Sequence, residues 1–316
     1  MSVLCVTPNP AIDRTLTVDH LEPSEVHRVG DVFEAAGGKG LNVARVVAAF
    51  GGDPVVMGLL AGASGGRLAA LADGESLVSC WTWVDAGETR TCTTVVDGRG
   101  STLLNEPGPA IDADGWSVFA AAVLDQSGEL AAANRLDAIT ISGGLPPGVS
   151  PEQLGVLATQ LRECGPAQIW VDANGPTLDR ALEAGVSVKV NRYEARGIVG
   201  DGRPIELAYR LASRSGAIAV VTDGAAGAVA VRGAELFVAH APPVEVVNAT
   251  ASGDAFLGGL VTALARGDEF VDALALGVAT GSANALQLEP GIDVDVVHRL
   301  RLDVAVDIAI RGPAQS

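Results

Sequence analysis

The chain has 316 residues, 48% of them apolar, and carries a formal net charge of −17 at pH 7. This length and apolar content allow one large α/β domain or two modest ones and exclude a disordered chain. The acidic balance argues against nucleic acid or an anionic membrane as a partner, because both need a basic face.

The N-terminal segment, the lengths of the apolar runs and the cysteines indicate which class of protein the sequence encodes. A strand-like run begins at once, with neither a basic segment nor a long apolar segment ahead of it. No run of about 18 apolar residues follows, so no membrane span is predicted and we expect a cytoplasmic protein. The four cysteines are scattered without a CxxC pair, which predicts neither a disulfide framework nor a cysteine metal site.

Strand-like apolar runs alternate with helix-like stretches along the chain. Near-continuous apolar strands are predicted at residues 3–7, 54–60, 137–143, 167–173, 186–191 and 217–224. Helical stretches are predicted between them at 39–51, 65–73 and 150–164. This alternation predicts an α/β fold with a mostly parallel central sheet covered by helices on both faces. In such sheets ligands bind beyond the carboxyl ends of the strands. The tail 301–310 alternates like one more strand, with no functional interpretation.

Two segments break this pattern. Residues 14–34 and 81–105 are rich in Thr, Val and Trp, alternate with period two and carry turn signals such as DG. They predict a small antiparallel β lid over the strand ends, which would exclude water when closed. The α/β body then comprises 1–13, 35–80 and 106–316.

The first candidate site residues lie near the N-terminus. The run AAGGKGLNVAR (35–45) places two glycines before Lys39 and a helix, and backbone N–H groups at a helix N-terminus bind anions or hydroxyls. Neither a Walker A loop nor a GxGxxG dinucleotide fingerprint is present. In TPNPAIDRT (7–15), Asp13 is placed to accept hydrogen bonds from two sugar hydroxyls or to form an Asx turn. In ETRTCTT (88–94), Arg90 would join Arg14, Arg28 and Lys39 in a positive pocket only if all four converge.

Two later stretches suit a nucleotide. VKVNRYE (188–194) puts Lys189, Asn191 and Glu194 at a strand end, where an Asn and a Glu three residues apart can orient a hydrated Mg²⁺ between phosphates. TDGAAGAV (222–229) reads as a strand, a glycine turn and a return strand, which suits phosphates passing close to the backbone. Lys39 and Lys189 are the only lysines of the chain, and lysine is a compact point charge suited to phosphate oxygens.

The stretch VNATASGDAF (247–256) carries the catalytic hypothesis. A turn of small residues, Ala251, Ser252 and Gly253, leads into a helix and gathers free N–H groups at the positive end of the helix dipole. Asp254 would lie beside this anion hole and accept the proton of an attacking hydroxyl in phosphoryl transfer. The alternative is an aspartate that only caps the helix.

Taken together, these motifs resemble the PfkB-type (ribokinase-like) sugar kinases, in particular the branch of 1-phosphofructokinase and tagatose-6-phosphate kinase. The matches cover nearly the whole chain in the correct order. They comprise PNPAxDRT, AGGKGxNVAR, TRTxTT, NEPGP (105–109), SGxLPPG (142–148), Lys-x-Asn-x-x-Glu and the final GD-containing helix start.

The resemblance implies a role for each matching residue. It implies Asp254 as the base beside an anion hole of Ala251, Ser252 and Gly253. The residues implied to hold the sugar are Asp13, Gly38, Lys39 and Asn42, and those implied to hold its phosphate are Arg90 and Arg28. The residues implied to serve ATP phosphates and Mg²⁺ are Lys189, Asn191 and Glu194, and those lining the nucleotide site are Thr222, Gly224 and Gly227. The resemblance also implies a lid paired between the subunits of a homodimer, and K⁺ is a candidate further cofactor.

Six positions depart from the family pattern. Ala251 stands where a glycine is usual, and alanine adopts a positive φ only at a cost of about 1 kcal/mol, so it fits without strain only if φ is negative. Gly144 removes a usual serine hydroxyl near the sugar phosphate, His27 replaces an asparagine, Val190 a proline, and DAN (172–174) replaces DTS.

The Asp, Lys, Asn, Glu and Arg positions of the family motifs are all retained, which favours an ATP-dependent kinase of a phosphorylated ketohexose. Fructose 1-phosphate is the first expectation, with tagatose 6-phosphate and fructose 6-phosphate next. A non-catalytic pseudokinase that senses a sugar phosphate or nucleotide is the alternative that Ala251 and Gly144 raise. A nucleoside or free-sugar kinase is the third, disfavoured by the arginines of the lid.

Overall fold

Apolar runs become the central strands of a ten-stranded sheet in the computed structural model. The structure describes residues 1–85, 87–165, 167–287 and 291–310. The strands are β1 (Ser2–Thr7), β2 (Ala11–Thr17), β3 (Val32–Gly37), β4 (Asp53–Ala61), β5 (Val78–Val84), β6 (Arg90–Asp97), β7 (Gly100–Asn105), β8 (Leu136–Ser142), β9 (Gln168–Asp172), β10 (Ser187–Asn191), β11 (Ala219–Thr222), β12 (Ala228–Arg232), β13 (Glu235–Ala239) and β14 (Val306–Ile310).

The helices that connect and cover these strands have typical N-terminal signals. Ser150 opens one with a capping box to Gln153, and Asn191 opens another with a capping box to Glu194. The helices are α1 (Lys39–Ala49), α2 (Gly62–Gly74), α3 (Ala113–Ala132), α4 (Pro151–Glu163), α5 (Gly175–Glu183), α6 (Arg192–Val199), α7 (Pro204–Ser215), α8 (Ser252–Arg266), α9 (Phe270–Asn284) and α10 (Val294–Arg301).

The large sheet has the order β14-β13-β12-β11-β10-β9-β8-β1-β4-β5. Seven neighbouring strands from β5 to β11 are parallel, and β12, β13 and β14 add an antiparallel edge. The α/β prediction is confirmed. The tail prediction is confirmed for 306–310, whereas residues up to Arg301 belong to α10.

Each face of the large sheet is covered by its own group of helices. Leu41 of α1, Leu257 of α8 and Leu274 of α9 are fully buried on one face. Phe119 of α3 and Leu157 of α4 are fully buried on the other. A near-continuous apolar strand needs apolar cover on both sides, which explains the absence of alternation in β1 and β4. No helix among the described residues is long and apolar enough to cross a membrane.

A separate four-stranded sheet of order β3-β2-β6-β7 lies where the lid was predicted, but it differs from the prediction in its pairing and its bounds. β2 begins at Ala11 and β3 ends at Gly37, so residues 11–13 and 35–37, assigned to the α/β body, belong to this small sheet. β2 pairs with β6 in parallel, so the lid is a mixed sheet and not an antiparallel one. Residues 81–84, assigned to the lid, complete β5 at the edge of the large sheet, where Trp83 is 54% exposed. A half-exposed edge strand alternates with the same period as a hairpin strand, so periodicity could not separate them.

Candidate active site

A cleft of 1770 Å³ lies between the carboxyl ends of the parallel strands and the small sheet. It brings together every predicted site residue except Arg28: Asp13, Gly38, Lys39, Asn42, Arg90, Lys189, Asn191, Glu194, Thr222, Gly224, Gly227, Ala251, Ser252, Gly253 and Asp254. These residues span most of the chain. The large sheet contributes those at the carboxyl ends of β10 and β11, and the small sheet contributes Asp13 of β2 and Arg90 of β6.

Asp254 lies in the first turn of α8 and is buried. Its Oδ2 accepts a 2.8 Å hydrogen bond from Asn42 Nδ2, and Arg45 donates to Asn42 Oδ1 over 2.7 Å. Arginine can only donate, so Arg45 fixes which end of the Asn42 amide faces Asp254. Arg45 is itself held by Glu75 over 2.6 Å. This relay leaves the second carboxylate oxygen of Asp254 available to a substrate hydroxyl.

Burial raises the pKa of Asp254 from 3.8 to about 6, and the negative charge of Asp172 adds to the rise. Lys39, Lys189 and the Asn42 hydrogen bond oppose it. A carboxylate whose pKa lies near the working pH is suited to general base catalysis, because it is ionised yet basic enough to take a proton.

Asp172 joins the two lysines of the chain. It is fully buried at the end of β9, with Oδ1 2.7 Å from Lys39 Nζ and Oδ2 2.5 Å from Lys189 Nζ. Burial disfavours its charge, but Lys189 and Lys39 outweigh that and lower its pKa. Burial likewise opposes the charge of Lys39, yet Asp172, Asp254 and Glu194 raise the Lys39 pKa. Residues 172–174 were predicted to end a strand at the ligand-binding edge and to depart from the family motif, but Asp172 was not predicted as a site residue, although an acid ending a buried strand was an available signal.

The turn before α8 brings its backbone against Lys189. A Cβ at Gly253 would lie 2.8 Å from Lys189 Nζ, so only glycine lets the ammonium approach this closely. Ala251 has φ 61° and ψ 0°, the left-handed conformation. The condition for a strain-free fit, a negative φ, is therefore not met, and the alanine occupies a position that favours glycine.

Asp13 and Arg90 meet at the root of the lid. The β2–β6 register pairs Ala11 with Arg90, two residues from Asp13. Burial raises the Asp13 pKa to about 6, opposed by the charges of Arg45 and Arg90. Arg90 donates to the Asn9 carbonyl over 2.8 Å, and no carboxylate of the described residues lies within ion-pair distance of it. Arg90 therefore brings to the cleft a charge that no carboxylate of the described residues pairs with directly.

The other predicted arginines lie elsewhere. Arg28 is exposed in the segment between β2 and β3 and does not line the cleft of this chain. Arg14 lies 3.5 Å from Glu34 in an ion pair across the same two strands. The four-cation pocket drawn from the sequence is thus reduced to Lys39 and Arg90, to which the structure adds Lys189.

Asn191 and Glu194 both line the cleft but differ in what they can offer a metal ion. Asn191 Oδ1 accepts hydrogen bonds from the N–H groups of Tyr193 and Glu194, at 2.8 and 2.9 Å. Glu194 Oε2 accepts from the Asn191 N–H over 2.8 Å, while Oε1 lies 3.9 Å from Lys39. One carboxylate oxygen thus remains for a hydrated Mg²⁺, which usually keeps several of its waters.

Comparison with known proteins agrees with this geometry. The model of the pfkB family of carbohydrate kinases matches residues 4–295. The chain belongs to the PfkB family of carbohydrate kinases. Such an enzyme is a phosphotransferase with an alcohol acceptor, and PfkB kinases use ATP and Mg²⁺.

Among related PfkB kinases, a 1-phosphofructokinase of Haloferax volcanii is 36% identical over 266 residues, covering 82% of this chain and 83% of that protein. A 1-phosphofructokinase of Rhodobacter capsulatus is 32% identical over 269 residues, covering 83% of each. Phosphofructokinase-2 from Escherichia coli in complex with potassium has a TM-score of 0.85 and 26% identity, covering 96% of this chain and 98% of that one. The tetrameric inhibited form of that enzyme has a TM-score of 0.84 and 25% identity, covering 95% and 98%.

Proposed function

We propose that this PfkB kinase transfers the γ-phosphate of ATP to fructose 1-phosphate, giving fructose 1,6-bisphosphate. The observation that carries the reaction is the buried Asp254 at the start of α8, oriented by Asn42 and facing the cleft beside Lys189. The substrate assignment is supported by two relatives named 1-phosphofructokinase at 36% and 32% identity. Tagatose 6-phosphate and fructose 6-phosphate are the next candidates.

Recognition of a phosphorylated sugar is assigned to Arg90. It is the cleft arginine without a carboxylate partner among the described residues, whereas Arg45 is paired with Glu75. Arginine matches a phosphate in a bidentate manner. Asp13, half-buried at the same lid root, would accept hydrogen bonds from two sugar hydroxyls.

The transfer step is written as an in-line displacement. Asp254 takes the proton of the C6 hydroxyl, the oxygen forms a bond to the γ-phosphorus, and the bond to the β–γ bridging oxygen breaks to release ADP. The N–H groups of the turn 251–253 and the Lys189 ammonium would stabilise charge on the transferring group. Lys39 would orient the sugar side of the site.

The nucleotide is assigned to the other half of the cleft. Thr222, Gly224 and Gly227 line it around the turn that links β11 to β12. Glu194 would hold Mg²⁺ through a water molecule, and Asn191 would act by fixing Glu194 through the α6 capping box. Bound Mg²⁺ neutralises charge on the phosphate oxygens. A K⁺ requirement is tested by exchanging KCl for choline chloride.

A homodimer through the lid is part of the proposal. Both edge strands of the small sheet expose apolar side chains, with Val32 52%, Phe33 41%, Leu103 49% and Leu104 58% exposed. Exposed apolar patches of this kind mark interaction surfaces. Leu104→Asp is expected to convert a dimer into a monomer in sedimentation experiments, and a monomeric unmodified chain would contradict the assignment.

The first experiment measures ADP release with Mg-ATP and fructose 1-phosphate, fructose 6-phosphate, tagatose 6-phosphate, fructose or adenosine. We expect turnover with fructose 1-phosphate, a kcat about 10³-fold lower in Asp254→Asn, and a KM for the sugar phosphate about 30-fold higher in Arg90→Ala. Arg67→Ala, an exposed arginine of α2, is the control. An unchanged KM in Arg90→Ala would refute the phosphate assignment. Binding without turnover would point to a sensor.

A further inference from the structure

Asn284 is the last residue of α9 and is almost completely buried, with 2% of its surface exposed. Its Nδ2 donates to the Thr250 carbonyl over 2.8 Å and to Ser252 Oγ over 3.2 Å. Its Oδ1 accepts from the Gly291 N–H over 3.2 Å. An asparagine amide has two N–H donors, so one nitrogen can satisfy both partners in the turn.

The two acceptors lie on either side of Ala251. That residue has φ 61°, a conformation that alanine adopts about five- to thirtyfold less readily than an ordinary one. Strained backbone persists only where its surroundings over-determine it. Relaxation of Ala251 to a negative φ would rotate the Thr250–Ala251 peptide and turn the Thr250 carbonyl away from Asn284.

The end of α9 is built to approach this turn. A Cβ at Gly281 would lie 2.9 Å from the Ser252 carbonyl oxygen, so a glycine is needed for the contact. The Ala285 carbonyl accepts from the Val247 N–H over 2.8 Å. Once buried here, the Asn284 amide has no water to replace a lost partner, which makes its hydrogen bonds costly to break.

We propose that Asn284 is the positioning residue that holds the anion-binding turn in its left-handed form, replacing the conformational freedom that glycine would give at 251. The inference rests on the proposed function, in which this turn stabilises the transferring phosphoryl group. Asn284 lines no part of the described cleft, so it acts through the turn and not on the substrate.

The test is a double-mutant cycle of Asn284→Ala and Ala251→Gly, with the acceptor that the substrate panel identifies. Asn284→Ala alone is expected to lower kcat about tenfold, which lies within the five- to thirtyfold bias against left-handed alanine. Its KM for the sugar phosphate is expected to stay within about threefold of that of the unmodified chain. In the Ala251→Gly background, the same change is expected to lower kcat by less than about threefold, because glycine adopts a positive φ freely.

Thr280→Val is the matched control. Thr280 is a fully buried polar residue one turn earlier in α9, whose hydroxyl donates to the Leu276 carbonyl over 2.6 Å within the helix. It is expected to reduce stability without changing kcat. An equal loss of kcat from Asn284→Ala in both backgrounds would overturn the proposal and leave Asn284 a structural residue.

A second readout does not depend on turnover. Amide hydrogen exchange of the peptide spanning 249–255, followed by mass spectrometry, is expected to be about tenfold faster in Asn284→Ala and unchanged in Thr280→Val. If no acceptor is phosphorylated by the unmodified chain, the proposed function fails. The exchange measurement still tests whether Asn284 holds the turn. Unchanged exchange in Asn284→Ala would overturn the positioning role of Asn284 even in an active kinase.

Discussion

Replacing Asp254 by asparagine is expected to stabilise the folded chain at neutral pH. Asp254 is buried and its pKa is raised from 3.8 to about 6, so its ionised form is disfavoured in the folded state. At 1.36 kcal/mol for each pKa unit, the cost of keeping it ionised at pH 8 is about 3 kcal/mol. Asparagine resembles the neutral acid and removes that cost.

The expected pH dependence follows from the sign of the shift. Because the folded pKa is raised, the cost is fully present above about pH 7 and disappears as the pH falls towards the unfolded value. The gain from Asp254→Asn is therefore about 3 kcal/mol at pH 8 and about half of that at pH 5. The measurement is urea unfolding of both proteins without ligands at the two pH values.

Asp172→Asn is the matched control in the same cleft, with the opposite sign. The Asp172 pKa is lowered by Lys189 and Lys39, so its charge stabilises the fold. Its removal leaves the 4% exposed Lys189 ammonium without this partner, and loss of one member of a buried ion pair costs about 3 kcal/mol or more. A neutral or destabilising effect of Asp254→Asn at pH 8 would refute this account of the electrostatics.

Three further predictions concern catalysis. The kcat/KM of the unmodified enzyme, which reports ionisations of the free enzyme, should fall about tenfold between its plateau and pH 5, because Asp254, with a pKa of about 6, becomes protonated; a flat profile would contradict its role as base. Gly37→Ala should raise the KM for the sugar phosphate more than it lowers kcat in steady-state assays, since the added Cβ would lie 2.2 Å from Asp13 Cγ; unchanged kinetics would exclude Asp13 from the sugar site. Arg45→Gln should lower kcat/KM and move its acid limb to higher pH, since Asn42 loses the donor that orients it towards Asp254 and its hydrogen bond lowers the Asp254 pKa; an unmoved limb would count against the relay.

The convergence of the site could be predicted because it depends on topology. Asn191 and Thr222 end the neighbouring parallel strands β10 and β11, and parallel strands of one sheet present those ends at the same edge. Asp254 could be predicted because a small-residue turn before an apolar helix is a local pattern. The parallel sheet followed from the same alternation of apolar strands and helices.

The pairings within the site could not be predicted in the same way. Nothing in the spacing shows that Asp172 binds both lysines or that Arg45 orients Asn42, since these contacts depend on side-chain rotamers. The φ of Ala251 is set by the residues that surround the turn, and propensity alone favours a negative value. The place of Arg28 depends on the path of a segment between two lid strands, which carries no periodic signal.

The pairing of both lysines with Asp172 has a consequence for chemical labelling. The chain has no other lysine, and the Lys39 side chain is 36% exposed while that of Lys189 is 4% exposed. Acylating reagents attack a neutral amine, and the raised pKa of Lys39 keeps it charged. Every side-chain amine that such a reagent can modify therefore lies in the cleft. The number of acylated lysines, counted as zero, one or two by mass, becomes a direct record of whether Asp172 still holds its partners.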